Sequence, residues 1–295
     1  MAQIISNSTI DEWVIEKRLS GGHSLVFSGH HKDLKDWMVV IKIVCFKQQG
    51  SNAFRDDLKR EALSLFSLKH DRIPRVFAFR IDEQRHYAYL VTELVQGIDL
   101  YKAQIDLERS FSIQETLGIL RQIGSALDHA HSIHILHRDI KRRNIVLKLN
   151  EALNRNNGGF IARRNILEKQ AYLVDFGYST APWFNAETFI PFITNSEFIA
   201  PEVARGKRST VRADNYSLAA LTFWCLTSRL PYEARNLITR INMIAHPDVE
   251  PKSILEFLPK MPSSLDDVFK KALHNDPSKR YATAAAFIKD VASIG

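Results

Sequence analysis

Cysteine is scarce in this chain of 295 residues: Cys45 and Cys225 are the only two, far apart and in no C-x-x-C pair. That excludes a disulfide framework and a cysteine-based zinc site, and it fits a reducing, cytoplasmic setting. Long apolar runs are missing as well. The longest, Tyr216 to Leu226, is interrupted by Ser217 and Thr222 and is too short to cross a bilayer. The start MAQIISNSTIDEW lacks the basic segment and apolar core of a secretory signal, so a soluble chain with no membrane partner is expected. There are no internal repeats, no low-complexity tract and no block of one charge sign. Forty Lys plus Arg against 33 Asp plus Glu leave a formal charge of +7, spread along the chain. Such an excess permits nucleic-acid contact without demanding it, and no recognised binding module supports a specific one.

What is present is a large apolar fraction, 45%, enough for a sizeable core in one bilobal unit or about two domains. The first part reads as strands rich in β-branched and aromatic residues: WVIEKRL, SLVFSGHH, WMVVIKIV, RVFAFRID and YAYLVTEL. One helix, about Asn52 to Leu68, interrupts them. From Ser112 the apolar period changes to three or four residues through Ile113, Leu117, Leu120, Ile123, Leu127 and Ala130, and Ser112 with Glu115 forms a capping-box pattern. Further helical periods follow near Asp214 to Thr227, Asn236 to Ile244, Ser264 to His274 and Thr283 to Ser293. Gly97 in TELVQGIDL suits a short hinge between the two parts. The segment from Asn150 to Gln170, rich in Asn, Gly and Arg, reads as an inserted loop or hairpin.

Taken singly, the polar residues in this pattern are weak signals, because a strand Lys or a helical Glu is usually solvated. Their order is not. Lys42 lies in VVIKIV, Glu61 in LKREALSL, Asp139 and Asn144 in HRDIKRRN, Asp175 in LVDFGYST and Glu202 in FIAPEV. Together they resemble the signature set of the eukaryotic-type (Hanks-type) serine/threonine protein kinases over about Trp13 to Ile294.

The resemblance implies an α+β, bilobal protein-kinase-like fold: a small β-rich N-lobe with one helix, and a larger, mainly helical C-lobe. It implies residues 1–10 as an N-terminal extension and 11–295 as the kinase domain. Within it the N-lobe spans about 11–94, the hinge about 93–98 and the C-lobe about 99–295, with the insertion at about 150–170. It implies transfer of the γ-phosphoryl group of ATP to Ser or Thr hydroxyls of protein substrates, with Mg2+ as cofactor and autophosphorylation of the activation segment. The alternative is a nucleotide-binding pseudokinase scaffold.

The same resemblance gives the site residues. Asp139 accepts or orients the proton of the acceptor hydroxyl, and Lys141 offsets charge at the γ-phosphate. Lys42 contacts the α- and β-phosphates and is paired by Glu61. Asn144 and Asp175 hold magnesium through hard oxygen ligands. Gly21 and Gly22 form the glycine loop, Val26, Val40 and Val146 line the adenine site, Glu93 and Val95 offer hinge backbone beside the gatekeeper Thr92, and Asp99 meets the ribose. Glu202 with Arg280, and Asp214 with the catalytic loop, argue for a protein substrate over a metabolite. His137 reads as scaffold and His131 as the helix-end histidine of the family, while His129 and His134 read as surface residues; a zinc site would want further ligands.

Three departures stand out. In LSGGHSLV the glycine positions are taken by Leu19, Gly21 and Ser24, which weakens backbone cradling of phosphate. Asn195, beside Thr194, stands where such kinases usually carry Thr. Arg142 replaces the usual Pro, making KRRN strongly cationic; this favours acidic or phosphorylated partners, or reflects only a generally basic chain. The segment Thr180 to Ser196 holds the expected autophosphorylation sites.

Overall fold

The computed structural model describes residues 8–21, 25–46, 53–148, 169–177, 179 and 197–294. Gly22, Ser24, nearly all of the expected insertion, Thr194, Asn195 and the expected phosphorylation sites from Thr180 to Ser196 lie outside the described residues. Two compact units result: one runs to Gln96 and takes back Phe176–Ser179, the other holds Gly97–Asp175 and the chain from Thr180 on.

The first unit carries β1 (Thr9–Ile10), β2 (Trp13–Gly21), β3 (Leu25–His31), β4 (Leu34–Cys45), α1 (Ala53–Ser67), β5 (Val76–Asp82) and β6 (Tyr87–Glu93). Its strands form an antiparallel sheet in the order β1-β2-β3-β4-β6-β5. Strand period two sorts the residues by face. Phe27, Val39, Ile41 and Ile43 join Trp13, Ile15, Tyr89 and Val91 in one buried cluster. Val40, Lys42 and Val44 alternate with them on β4, and α1 packs against β4, β5 and β6. Close approach of β2 to β3 needs Gly29, where a Cβ would run into the Val14 carbonyl oxygen. Thr9 and Ile10 pair with β2, so the end of the expected N-terminal extension belongs to the sheet.

The second unit opens with a small sheet of β7 (Gly97–Asp99), β8 (Ile145–Lys148) and β9 (Ala171–Leu173), in the order β7-β8-β9. Its helices are α2 (Leu100–Leu107), α3 (Ile113–Ser132), α4 (Pro201–Ala204), α5 (Val211–Thr227), α6 (Leu237–Ala245), α7 (Ser263–Ala272) and α8 (Ala284–Ala292). The capping box at α3 forms in full: Glu115 N–H donates to Ser112 Oγ and Ser112 N–H donates to the Glu115 carboxylate. Such a cap stabilises a helix start by about 1 kcal/mol. Near the other end of α3, the Asp128 carboxylate accepts the Ala284 and Ala285 N–H groups at 2.8 and 2.9 Å and so fixes the start of α8. Phe223 of α5, Phe269 of α7 and Phe287 of α8 meet edge to face, with ring centroids 5.7 and 6.0 Å apart along the row. Burying each such ring contributes about 1.5–3 kcal/mol. No described helix is long and apolar enough to cross a membrane.

The strand and helix periods read from the sequence reappear within a few residues of their expected limits. The short elements β1, β7, α2 and α4 were not among them, because each is too brief to show a period.

Candidate active site

In the first unit, α1 brings Glu61 to the Lys42 face of the sheet, and Lys42 Nζ lies 2.6 Å from Glu61 Oε2. Glu61 is buried, so its charge requires a cation beside it. Val26 stands opposite Lys42 across β3 and β4, and Thr92 stands opposite Val40 across β4 and β6. Cross-strand partners share a face, so Val26, Val40, Lys42 and Thr92 form one half-buried patch. Gly21 ends β2, opposite Leu25. Glu93 ends β6 and donates its N–H to the Arg75 carbonyl at 2.8 Å; half-buried Val95 follows in the irregular segment.

In the second unit the groups converge on Asp139, which is 4% exposed. Lys141 Nζ donates to Asp139 Oδ2 at 2.5 Å. The Asn144 amide donates to the same oxygen at 2.9 Å and to the Asp139 carbonyl at 2.8 Å. Both side-chain bonds fall on Oδ2, and no described residue donates to Oδ1. Hairpin pairing of β8 with β9 sets the next contact: Val174 N–H donates to the Asn144 carbonyl at 2.9 Å, so Asp175 emerges at the Asn144 end of the hairpin. Asp175 is exposed and has φ of +64°. That left-handed conformation is uncommon for a residue with a Cβ.

His137 is fully buried beneath this loop. Its Nδ1 accepts the Asp139 N–H at 3.2 Å, which assigns the ring proton to Nε2, 3.3 Å from the Val174 carbonyl. Burial holds its pKa below the ordinary histidine value, against the opposing pull of Asp214, Asp139 and Asp175. Asp214, on α5, accepts the N–H groups of His137 and Arg138 and a bond from His131 Nε2. Burial alone would push the Asp214 carboxyl up; the bonds from His131 and Arg138, with the nearby histidine charges, outweigh it and hold it below its ordinary value. His129 is half-buried, in contrast to the surface position expected, while His134 is exposed.

Asp99 and Val146 face each other across β7 and β8. The Asp99 carboxylate caps α2 by accepting the Lys102 N–H at 2.8 Å, a structural duty that the sequence reading did not assign. Glu202 and Arg280 form a bidentate pair at 2.9 and 2.8 Å, both buried. Arg142 carries part of the charge of the cationic KRRN stretch, which was expected to favour acidic or phosphorylated partners or to reflect only a generally basic chain. The Arg142 guanidinium pairs with Glu197 and lies over the Tyr101 and Trp224 rings, each 4.8 Å away. Glu197 and Arg240 carried no motif and were missed; only their proximity to Arg142 in the fold brings them in.

This ordered set of residues on this fold defines a class. The family described as the protein kinase domain matches residues 15–291, and the chain belongs to it. Among curated proteins, the serine/threonine-protein kinase PrkC of Bacillus subtilis is 32% identical over 257 residues, covering 87% of this chain and 36% of PrkC. The probable serine/threonine-protein kinase PknB of Lactococcus lactis is 28% identical over 290 residues, covering 96% of this chain and 42% of PknB. The chain thus spans well under half the length of these relatives. The crystal structure of the Mycobacterium tuberculosis PknI kinase domain shares the fold at a TM-score of 0.71 and 21% identity, covering 99% of this chain and all of that one.

Proposed function

We propose that the chain is a serine/threonine protein kinase that transfers the γ-phosphoryl group of Mg-ATP to Ser or Thr hydroxyls of proteins. The observation that carries this reading is Asp139, whose Oδ2 is held by Lys141 and Asn144 while Oδ1 receives no described donor. A carboxylate so fixed has one oxygen left to accept or orient the proton of an incoming hydroxyl. In the reaction the hydroxyl oxygen bonds to the γ-phosphorus, the bond to the β,γ-bridging oxygen breaks, ADP leaves, and the hydroxyl proton passes toward Asp139. Lys141, beside Asp139, offsets negative charge on the phosphoryl group, and Lys42, oriented by Glu61, binds the α- and β-phosphates. Val26, Val40 and Val146 supply apolar contact to adenine, Gly21 and Gly22 phosphate approach, Val95 N–H and the Glu93 carbonyl the hinge bonds, and Asp99 the ribose contact.

The donors fit magnesium. Asn144 spends its amide N–H groups on Asp139, which turns its carbonyl oxygen into the available ligand, and the exposed Asp175 carboxylate supplies a second hard oxygen. When bound, the ion neutralises phosphate charge. Proteins are the proposed partners, acidic or phosphorylated ones on charge grounds, and the cytoplasm the proposed setting. The names of the curated relatives support the Ser/Thr assignment.

The test is the intact mass of the protein before and after Mg-ATP, with a generic protein acceptor added, for the wild type and Asp139→Asn. Phosphate on protein with the wild type alone is the expected result. Equal phosphate with both, or none with either after activation-segment phosphomimetics, would overturn the reading.

A further inference from the structure

Gln122 of α3 belongs to no motif in the sequence, yet its half-buried side chain reaches the start of β9. Gln122 Oε1 accepts the Ala171 N–H at 3.1 Å. Its Nε2 donates to the Lys169 carbonyl at 3.1 Å and to the Gly118 carbonyl, one turn back on α3, at 3.0 Å. These backbone partners fix which end of the amide is which, because an N–H only donates and a carbonyl only accepts. The Lys169 carbonyl and the Ala171 N–H flank Gln170, and they are the two groups that a residue of a parallel neighbouring strand would take. One side chain thus stands in for a strand along the outer edge of β9.

That edge needs such a partner. β9 closes the order β7-β8-β9 and its three residues are buried, so its outward N–H groups require partners within the protein. Lys148 N–H donates to the Gln170 carbonyl at 2.8 Å, which turns the Ala171 N–H, one residue on, away from β8 and toward α3. At the other end Val174 N–H donates to the Asn144 carbonyl, and the Val174 carbonyl meets His137 Nε2. A strand of three residues has few ladder bonds of its own, so its placement depends on what holds these two ends. Asp175 follows directly, about 13 Å along the chain from Ala171 at the rise of a strand.

We infer that Gln122 is a positioning residue for phosphoryl transfer: by holding the start of β9 it sets where Asp175 stands relative to Asn144, and so the spacing of the two proposed magnesium ligands. This rests on the kinase reading. Gln122 touches neither substrate nor ion and acts only through the strand. It grips the chain where the stretch from Asn150 to Gln170, read as inserted, joins β9. Small displacements matter at such a site, since a misplacement of about 1 Å is enough to cost on the order of a hundredfold in rate.

Gln122→Met keeps the length and helix propensity of the side chain and removes its bonds to β9. Hydrogen exchange of the full chain without nucleotide reads the strand directly. The Ala171 to Val174 amides should exchange about tenfold faster than in the wild type, as the loss of two hydrogen bonds implies, while the α5 amides stay unchanged. Binding of Mn2+ in the presence of a β,γ-imido ATP analogue, followed by electron paramagnetic resonance, should weaken about tenfold, and the KM of an acceptor peptide should not move. Asp128→Asn, elsewhere on α3, weakens the start of α8 instead and should leave both β9 exchange and Mn2+ affinity unchanged. Gln122→Asn, one methylene shorter, draws the amide back from β9 and takes the place of Gln122→Met if that variant does not fold. Unaltered exchange at Val174, unaltered Mn2+ affinity, an equal acceleration in α5 or equal effects from Asp128→Asn would each overturn the inference. The two readings fail separately. An active wild type and an active Gln122→Met with the same Mg2+ dependence refute the positioning role alone, whereas the expected exchange and Mn2+ changes in a chain that transfers no phosphate refute the enzyme alone.

Discussion

The Asp214 carboxylate accepts the backbone N–H groups of His137 and Arg138, both at 2.9 Å, and so ties α5 to the loop that carries Asp139. Arg138 needs this restraint, because its φ of +66° lies in the left-handed region that costs a residue with a Cβ about 1 kcal/mol or more.

Asp214→Asn should therefore be costly in spite of its small size. The new amide turns one acceptor into a donor that faces N–H groups, leaving a buried donor unmet at a cost of about 1–3 kcal/mol. Urea unfolding at pH 7 measures this. The acid limb should change as well. The folded carboxyl lies below its unfolded value, so its contribution is present above about pH 4 and is lost as pH falls through the folded pKa. The variant should lack that part of the acid loss.

His137 makes a separate prediction at milder pH. Its folded pKa is lowered by burial, so below about pH 6.5 the unfolded chain takes up a proton that the folded one resists. Stability should be fully present above that value and should decline as pH falls from it. His137→Phe should flatten the dependence of unfolding free energy on pH between about 5 and 7. An unchanged slope would show that the ring takes up its proton equally in the folded and unfolded chain.

Arg280 lies buried against Glu202, and its guanidinium also donates to the carbonyls of His274, Arg212 and Asn275. Arg280→Met should destabilise by about 3–5 kcal/mol, because it strands a buried carboxylate. Glu202→Met with Arg280→Met should recover part of that loss. A double-mutant cycle in urea checks the pair, and strict additivity would show that it has no coupling.

Two glycines should respond differently to alanine. At Gly29 the added Cβ meets the Val14 carbonyl oxygen, backbone that cannot move without parting β2 from β3. A loss of about 1–3 kcal/mol is expected. At Gly124 it meets Ile288 Cδ1, the end of a flexible side chain, and the helix gains from the better propensity of alanine. Thermal melts should show a clear drop for the first and a much smaller change for the second.

Much of this molecule could be read in one dimension. Period two in WMVVIKIV and period three to four from Ile113 onward set strands and helices because burial of one face needs that spacing whatever the partner. The capping box was legible for the same reason: Ser112 and Glu115 act within a single turn. The ordered motifs named the family, and with it the pairs Lys42 with Glu61 and Arg280 with Glu202, though not their burial or geometry.

What the sequence by itself determined, then, is the longer elements, the family and the identity of the chemical groups, all of which depend on local spacing and residue type. Only the tertiary structure decided which charges are spent and which remain. Arg142 and Arg143 are neighbours of one chemical kind, yet one is gripped by Glu197 and two rings while the other stays exposed. Asp99 turned out to cap a helix, and Asp139 to keep one oxygen clear of described donors. A charge is neutralised by whatever lies within a few ångströms of it, and in a folded chain those neighbours come from distant positions that no local pattern records.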